Sequence, residues 1–113
     1  MIKTFVWIKT QFEGYHYWMD APEEVAFLKN NHRHLFKIKV WVEVLHSDRD
    51  IEFFMLKKLV DKILLLPFFK SSYSCEQYSE ELYRHLCIHY PQREIRIEFS
   101  EDGEVGSYIE FET

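Results

Sequence analysis

Apolar and polar residues alternate with the two-residue period of a strand from Ile2 to Tyr15. Val6, Ile8 and Phe12 fall on one face, and Phe5, Trp7 and (less cleanly) Lys9 on the other. The alternation stops between Met19 and Asn31. Acids, Pro22 and the Asn30–Asn31 pair give that stretch the character of a long loop with room for one helical turn, and long loops inside compact domains are often functional. From His34 to Leu45 the alternation returns. Phe36, Ile38, Val40, Val42 and Val44 make one face wholly apolar, while the other mixes Leu35, Trp41 and Leu45 with Lys37, Lys39 and Glu43. A strand with one side on a core and the other largely wet has this pattern.

The period then lengthens. Phe53, Leu56, Leu59, Val60, Ile63 and Leu64 recur at helical spacing. Ser47 or Asp48, in "SDRD", is expected to cap this helix, with acids in its first turn and Pro67 at its end. In "SSYSCEQYSEELYRHLCIHY" a second helix is expected, because Ser74 and Gln77 have capping-box spacing. Its face continues through Tyr78, Leu82, His85 or Leu86, and His89, and Pro91 closes it. "REIRIEFSED" and "GSYIEFE" alternate around Asp102-Gly103, a hairpin signal. The expected order is ββααββ in a single domain over residues 1–113. The class is α+β: a four-stranded antiparallel sheet with two helices on one face.

Composition narrows the partners. The 113 residues, 47% apolar and 18% aromatic, suit a folded domain with a core of its own. A formal charge of −5 leaves no basic stripe to displace counterions from phosphates, so a small molecule or a protein is expected rather than nucleic acid. The longest apolar run, "ILLLPFF", is broken by Pro67, so no membrane span is expected. The start alternates rather than forming a signal core. Cys75 and Cys87 are the only cysteines, which implies no disulfide framework and fits reduced thiols in the cytoplasm.

The candidate chemistry lies in the histidines. His32 and His34 stand two apart, so on a strand both rings point to one face, and His16 follows the first strand. Three imidazoles with an open fourth position suit a zinc ion that binds substrate or water. His-x-His pairs are also met as solvent-facing accidents, and that alternative stays open on spacing alone.

Several quoted patterns come in a telling order: "FEGYH" (residues 12–16), "HRH" (32–34) before a strand, "IEFFMLKKLV" (51–60), "SCEQYSEEL" (74–82), "IEFSED" (97–102) and a later Tyr108. The chain resembles the 6-pyruvoyl-tetrahydropterin synthase and 6-carboxy-tetrahydropterin synthase family. That family has a histidine after its first strand, a His-Gly-His opening the second, an Asp-Phe-x-x-Leu-Lys helix start, a Thr-x-Glu-Asn second helix and a Val-x-Val-x-Glu-Thr strand. The resemblance covers nearly the whole chain. It implies a tunnelling fold, whose ββααββ subunits join into a barrel of strands, with trimers stacked as a homohexamer and sites between subunits. It also implies zinc on His16, His32 and His34, and a pterin or purine-like ring anchored by Glu101, with Glu98 as second choice.

The other site residues carry alternatives. "SEDGE" around Glu101 also reads as an acidic hairpin turn. Glu76 doubles as an ordinary helix-start acid, Ser74 as a cap and Cys75 as a small buried side chain, although the resemblance places all three against the ligand. Arg33 stands where the family has glycine, on the other side of the strand from the ligands. Arg33, Lys29 and Lys70 are the candidates for phosphate contact. Two departures matter more. Leu28 occupies the position of the catalytic cysteine, four residues before His32, and leucine can neither move a proton nor attack. The Asp-His couple expected near "LLLPFFKSS" has no counterpart there.

The resulting expectation is binding without turnover: a pocket that sequesters a small nucleotide-type signal or metabolite, as a phage-encoded sponge would in the host cytoplasm. One alternative is a divergent zinc-dependent synthase or lyase of pterin or deazapurine chemistry, with His46, His85 or Cys75 recruited as base. Another is an assembly protein whose pocket is empty.

Overall fold

A computed structural model describes residues 2–67 and 71–113. Lys70 and part of "LLLPFFKSS" lie outside the described residues. Strand β1 (Thr4–His16) is followed by a 3-10 helix (Glu23–Lys29), strand β2 (His32–Val44), helices α1 (Phe53–Leu64) and α2 (Cys75–His89), and strands β3 (Ile95–Glu101) and β4 (Val105–Phe111). The strands form one antiparallel sheet in the order β1-β2-β3-β4. The architecture is therefore α+β, with a four-stranded antiparallel sheet. None of the described helices is long and apolar enough to cross a membrane.

Sheet period and helix period meet in one core. On the side facing the helices, Ile8, Phe36, Ile38, Val40, Val42, Ile95, Ile97 and Phe99 are buried against Leu56, Val60 and Ile63 of α1 and Tyr78, Leu82 and Leu86 of α2. Helix α1 packs on β1, and α2 on β3 and β4. The opposite face is wetter. There the Lys39 ammonium lies 4.3 Å from the Trp7 ring centre and 4.6 Å from that of Trp41, while Trp41 meets Tyr108 edge-on at 5.7 Å.

Two boundaries differ from expectation. Helix α1 is capped by Glu52, whose side chain accepts from Phe54 N, and neither Ser47 nor Asp48 caps it. Asp50 accounts for the delay. Its Oδ2 accepts from Leu45 N at 2.8 Å and from Arg93 Nη1 at 2.6 Å, so residues 45–51 are held as a turn, with Arg49 in the left-handed region at φ 55°. The Leu45 amide and the Arg93 guanidinium hold the Asp50 carboxyl below its ordinary range. Strand β2, for its part, begins at His32, so both histidines of the pair lie in the sheet. The capping box of α2 forms as its spacing implies: Ser74 Oγ accepts from Gln77 N at 3.1 Å and Gln77 Oε1 from Ser74 N at 2.9 Å.

The register decides what stands at the end of the sheet. β1 and β2 pair along their full length, from Thr4↔Val44 to His16↔His32, with Gly14 opposite His34. β3 stops pairing β2 at Phe36↔Glu101. Residues 16, 32 and 34 thus overhang the end of β3 on the helix-facing side, with Glu101 beside them. Gly14 keeps the floor flat, because a Cβ there would stand 2.9 Å from the Phe36 ring.

Candidate metal centre

His16, His32 and His34 converge, and one ring nitrogen of each lies within 4.8 Å of the other two. Their rings meet edge to face at interplanar angles of 68° to 87°, with centroids 4.4 to 5.1 Å apart, and Phe36 packs edge-on beneath His16 at 5.2 Å. A hairpin of two 13-residue strands that pair in register brings together side chains distant in sequence, so a metal-sized cluster follows directly from strand pairing.

Each Nδ1 has its own acceptor. His16 Nδ1 donates to the Tyr73 carbonyl at 3.3 Å, His32 Nδ1 to the Asn30 carbonyl at 2.8 Å, and His34 Nδ1 to Asp102 Oδ2 at 2.7 Å. With the proton on Nδ1, a neutral imidazole presents its lone pair at Nε2. All three Nε2 atoms are buried without a hydrogen-bond partner. Glu101 then brings Oε1 to 3.1 Å from His16 Nε2 and Oε2 to 3.3 Å from His34 Nε2. Lone pairs and a carboxylate facing one another at that range repel unless a cation stands among them or the rings are protonated. Burial works against protonation at His16, pushing its pKa below the ordinary histidine value; the bond to Tyr73 and the Glu101 charge oppose that shift only in part. The donor set fits a divalent metal of the zinc type, held by imidazole nitrogens whose orientation is fixed by outer acceptors.

The remaining expected residues are distributed unevenly. Cys75 is buried at the start of α2, near enough to Glu101 to feel its charge. Burial, and then the Glu101 and Glu76 carboxylates, push its thiol up to about 12. The Ser74 hydroxyl is engaged in the helix cap, and Glu76 is exposed in the first turn. Leu28 lies in the 3-10 helix, where its carbonyl accepts from Trp18 N at 2.7 Å. Arg33 is exposed and pairs with Glu13, away from the ligand side, while Lys29 ends the 3-10 helix in solvent and Glu98 faces out. Of the candidate bases, His46 sits past the far end of β2, on the order of 40 Å along the strand from His32. His85 lies about three turns along α2, 3.8 Å from Glu81.

Asp102, Asn30 and Tyr73 complete the site without having stood out in the sequence. Two of them act through backbone carbonyls, which no residue type signals. Asp102 is masked by its role in a turn, where it and Gly103 both take left-handed backbone (φ 59° and 73°).

No protein-family model matches this chain, and no curated protein matches it in sequence.

Proposed function

We propose that this chain is a tunnelling-fold protein of the 6-pyruvoyl- and 6-carboxy-tetrahydropterin synthase type that binds its ligand without turning it over. His16, His32 and His34 hold zinc, and Glu101 offers its carboxylate to the N–H edge of a purine- or pterin-like ring, a paired contact that favours planar ligands. Copies of the chain assemble through the ββααββ sheet into a barrel, and a neighbouring copy completes the pocket over the exposed end of the site. Zinc held by these three histidines would supply Lewis acidity to a bound ligand.

The single observation that carries this reading is the set of three buried Nε2 atoms, without hydrogen-bond partners, beside the Glu101 carboxylate. The absence of turnover is supported by three side chains. Leu28 has no proton to give, the Cys75 thiol stays protonated at neutral pH with its pKa about 12, and His46 is at the far end of the sheet. The test is metal analysis of the purified protein together with mass spectrometry of the small molecules it releases on denaturation. Zinc near one equivalent per chain and an intact purine- or pterin-like compound are the expected result. A protein carrying neither ligand nor metal sinks the proposal.

A second reading, a zinc-dependent lyase, draws on Glu101 itself, since a carboxylate beside the ligands is also placed to accept a proton. Zinc-dependent consumption of dihydroneopterin triphosphate would favour that reading over binding alone.

A further inference from the structure

The β3–β4 turn grips β2 at the point where regular strand pairing ends. Asp102 N donates to the Leu35 carbonyl at 2.7 Å, Asp102 Oδ1 accepts from Leu35 N at 2.9 Å, and Oδ2 accepts from His34 Nδ1 at 2.7 Å. One turn residue therefore contacts two consecutive residues of β2, one of them a candidate metal ligand. The turn does not itself require a carboxylate, because asparagine or glycine accepts the same left-handed backbone.

The need for one lies in what His34 would do otherwise. Its Nε2 is 3.3 Å from Glu101 Oε2. A ring free to carry its proton on Nε2 could turn that proton toward Glu101, tying up a ligand nitrogen and the neighbouring carboxylate together. A carboxylate on Nδ1 opposes this, because it accepts a proton and cannot donate one. It also makes Nε2 a stronger donor to a metal, which the neutral carbonyls beneath His16 and His32 do less well.

We propose that Asp102 is a positioning residue: through Nδ1 it holds His34 in the tautomer that reserves Nε2 for metal and keeps that ring from closing onto Glu101. The assignment rests on the metal reading above and adds to it the device that keeps the site open.

The experiment uses the full chain and the variants Asp102→Asn and Asp102→Gly, both compatible with the turn. Zinc affinity is measured by chelator competition, and the protonated nitrogen of His34 is read in the metal-free protein by long-range proton–nitrogen correlation spectroscopy. Expected are a loss of zinc affinity of about 10- to 100-fold in both variants, and a shift of the His34 proton from Nδ1 to Nε2 in Asp102→Asn. A residue needed only for the turn would leave the proton on Nδ1. Variants that bind zinc as tightly as a zinc-binding parent, or a His34 proton that stays on Nδ1 in Asp102→Asn, overturn the assignment. A parent chain that takes up no zinc brings down the metal reading itself, and the assignment with it.

Discussion

The helix-facing side of β2 carries two stretches placed by the same two-residue rule but facing opposite energetic problems. From Phe36 to Val44 every inward residue is apolar and covered by α1 and α2, so burial there drives folding at roughly 25 cal/mol per Å² of apolar surface. At His32 and His34, joined by His16 across the hairpin, burial sequesters three ring nitrogens without partners. A buried polar atom left unsatisfied costs about 1–3 kcal/mol. A fold selected for stability alone would continue the aliphatic row. The row changes to histidine where the sheet overhangs β3, and the proposed metal would offset that cost when it binds.

Phe36 is the joint between the two stretches, and its truncation gives the largest expected effect. The side chain is fully buried, packs on Phe12, Phe99 and Tyr78, and underlies His16 and His34. Phe36→Ala is expected to cost about 3–5 kcal/mol in urea unfolding. A loss below about 1 kcal/mol would mean that the histidine end is supported independently of the core, and the comparison would collapse into two unrelated packing units.

Next comes the metal-linked stabilisation, which tests the difference from the other side. Zinc at about 100 times its dissociation constant should raise unfolding stability by about 2.7 kcal/mol. In His32→Ala that increment should vanish, while the metal-free protein stays folded because the aliphatic stretch is intact. Zinc-induced shifts of the thermal midpoint in the two proteins are the measurement. An undiminished shift in the variant would place the metal elsewhere.

A smaller effect separates the two ends by pH. His16 has its pKa lowered in the folded state, chiefly by burial, so between that value and the ordinary histidine range the unfolded chain binds more protons than the folded one. Stability of the metal-free protein is therefore complete above about pH 6.5 and declines as pH falls below it. His16→Ala should flatten this limb between pH 7 and 5 in denaturant titrations. Carboxylates contribute at lower pH: Asp50 and Asp102 have their pKa values lowered by hydrogen bonds from Leu45 and His34 respectively, so their stabilisation is lost only as pH falls through the acid range. An unchanged limb in His16→Ala would mean that another group titrates there.

What the sequence discloses about these ends follows from how far apart the partners are. Strand alternation and the Ser74–Gln77 box are local, so the strands and the start of α2 are legible in the chain. The start of α1 is not, because Asp50 is held by Arg93, far away in sequence. Within the site, the His32–His34 spacing shows a pair, whereas the approach of His16 depends on a register extending over the whole hairpin. The outer acceptors are least legible. Asn30 and Tyr73 contribute main-chain oxygens, and Asp102 reads as a turn residue until its second oxygen is found on His34.

Ser74 gives the smallest effect and the sharpest contrast. The sequence leaves it open as a ligand contact or a helix cap, and the structure has its hydroxyl capping α2 through Gln77 N. If capping is its whole role, Ser74→Ala should cost about 1 kcal/mol of stability and leave zinc uptake and the released ligand unchanged. Ser74→Asp supplies a second control, because aspartate also caps well but brings a negative charge to the start of α2, next to Cys75 in sequence. A cap-only residue should recover stability in Ser74→Asp with ligand content intact. A contact residue should lose ligand in both variants regardless of stability, and that outcome would extend the functional end of the sheet onto α2.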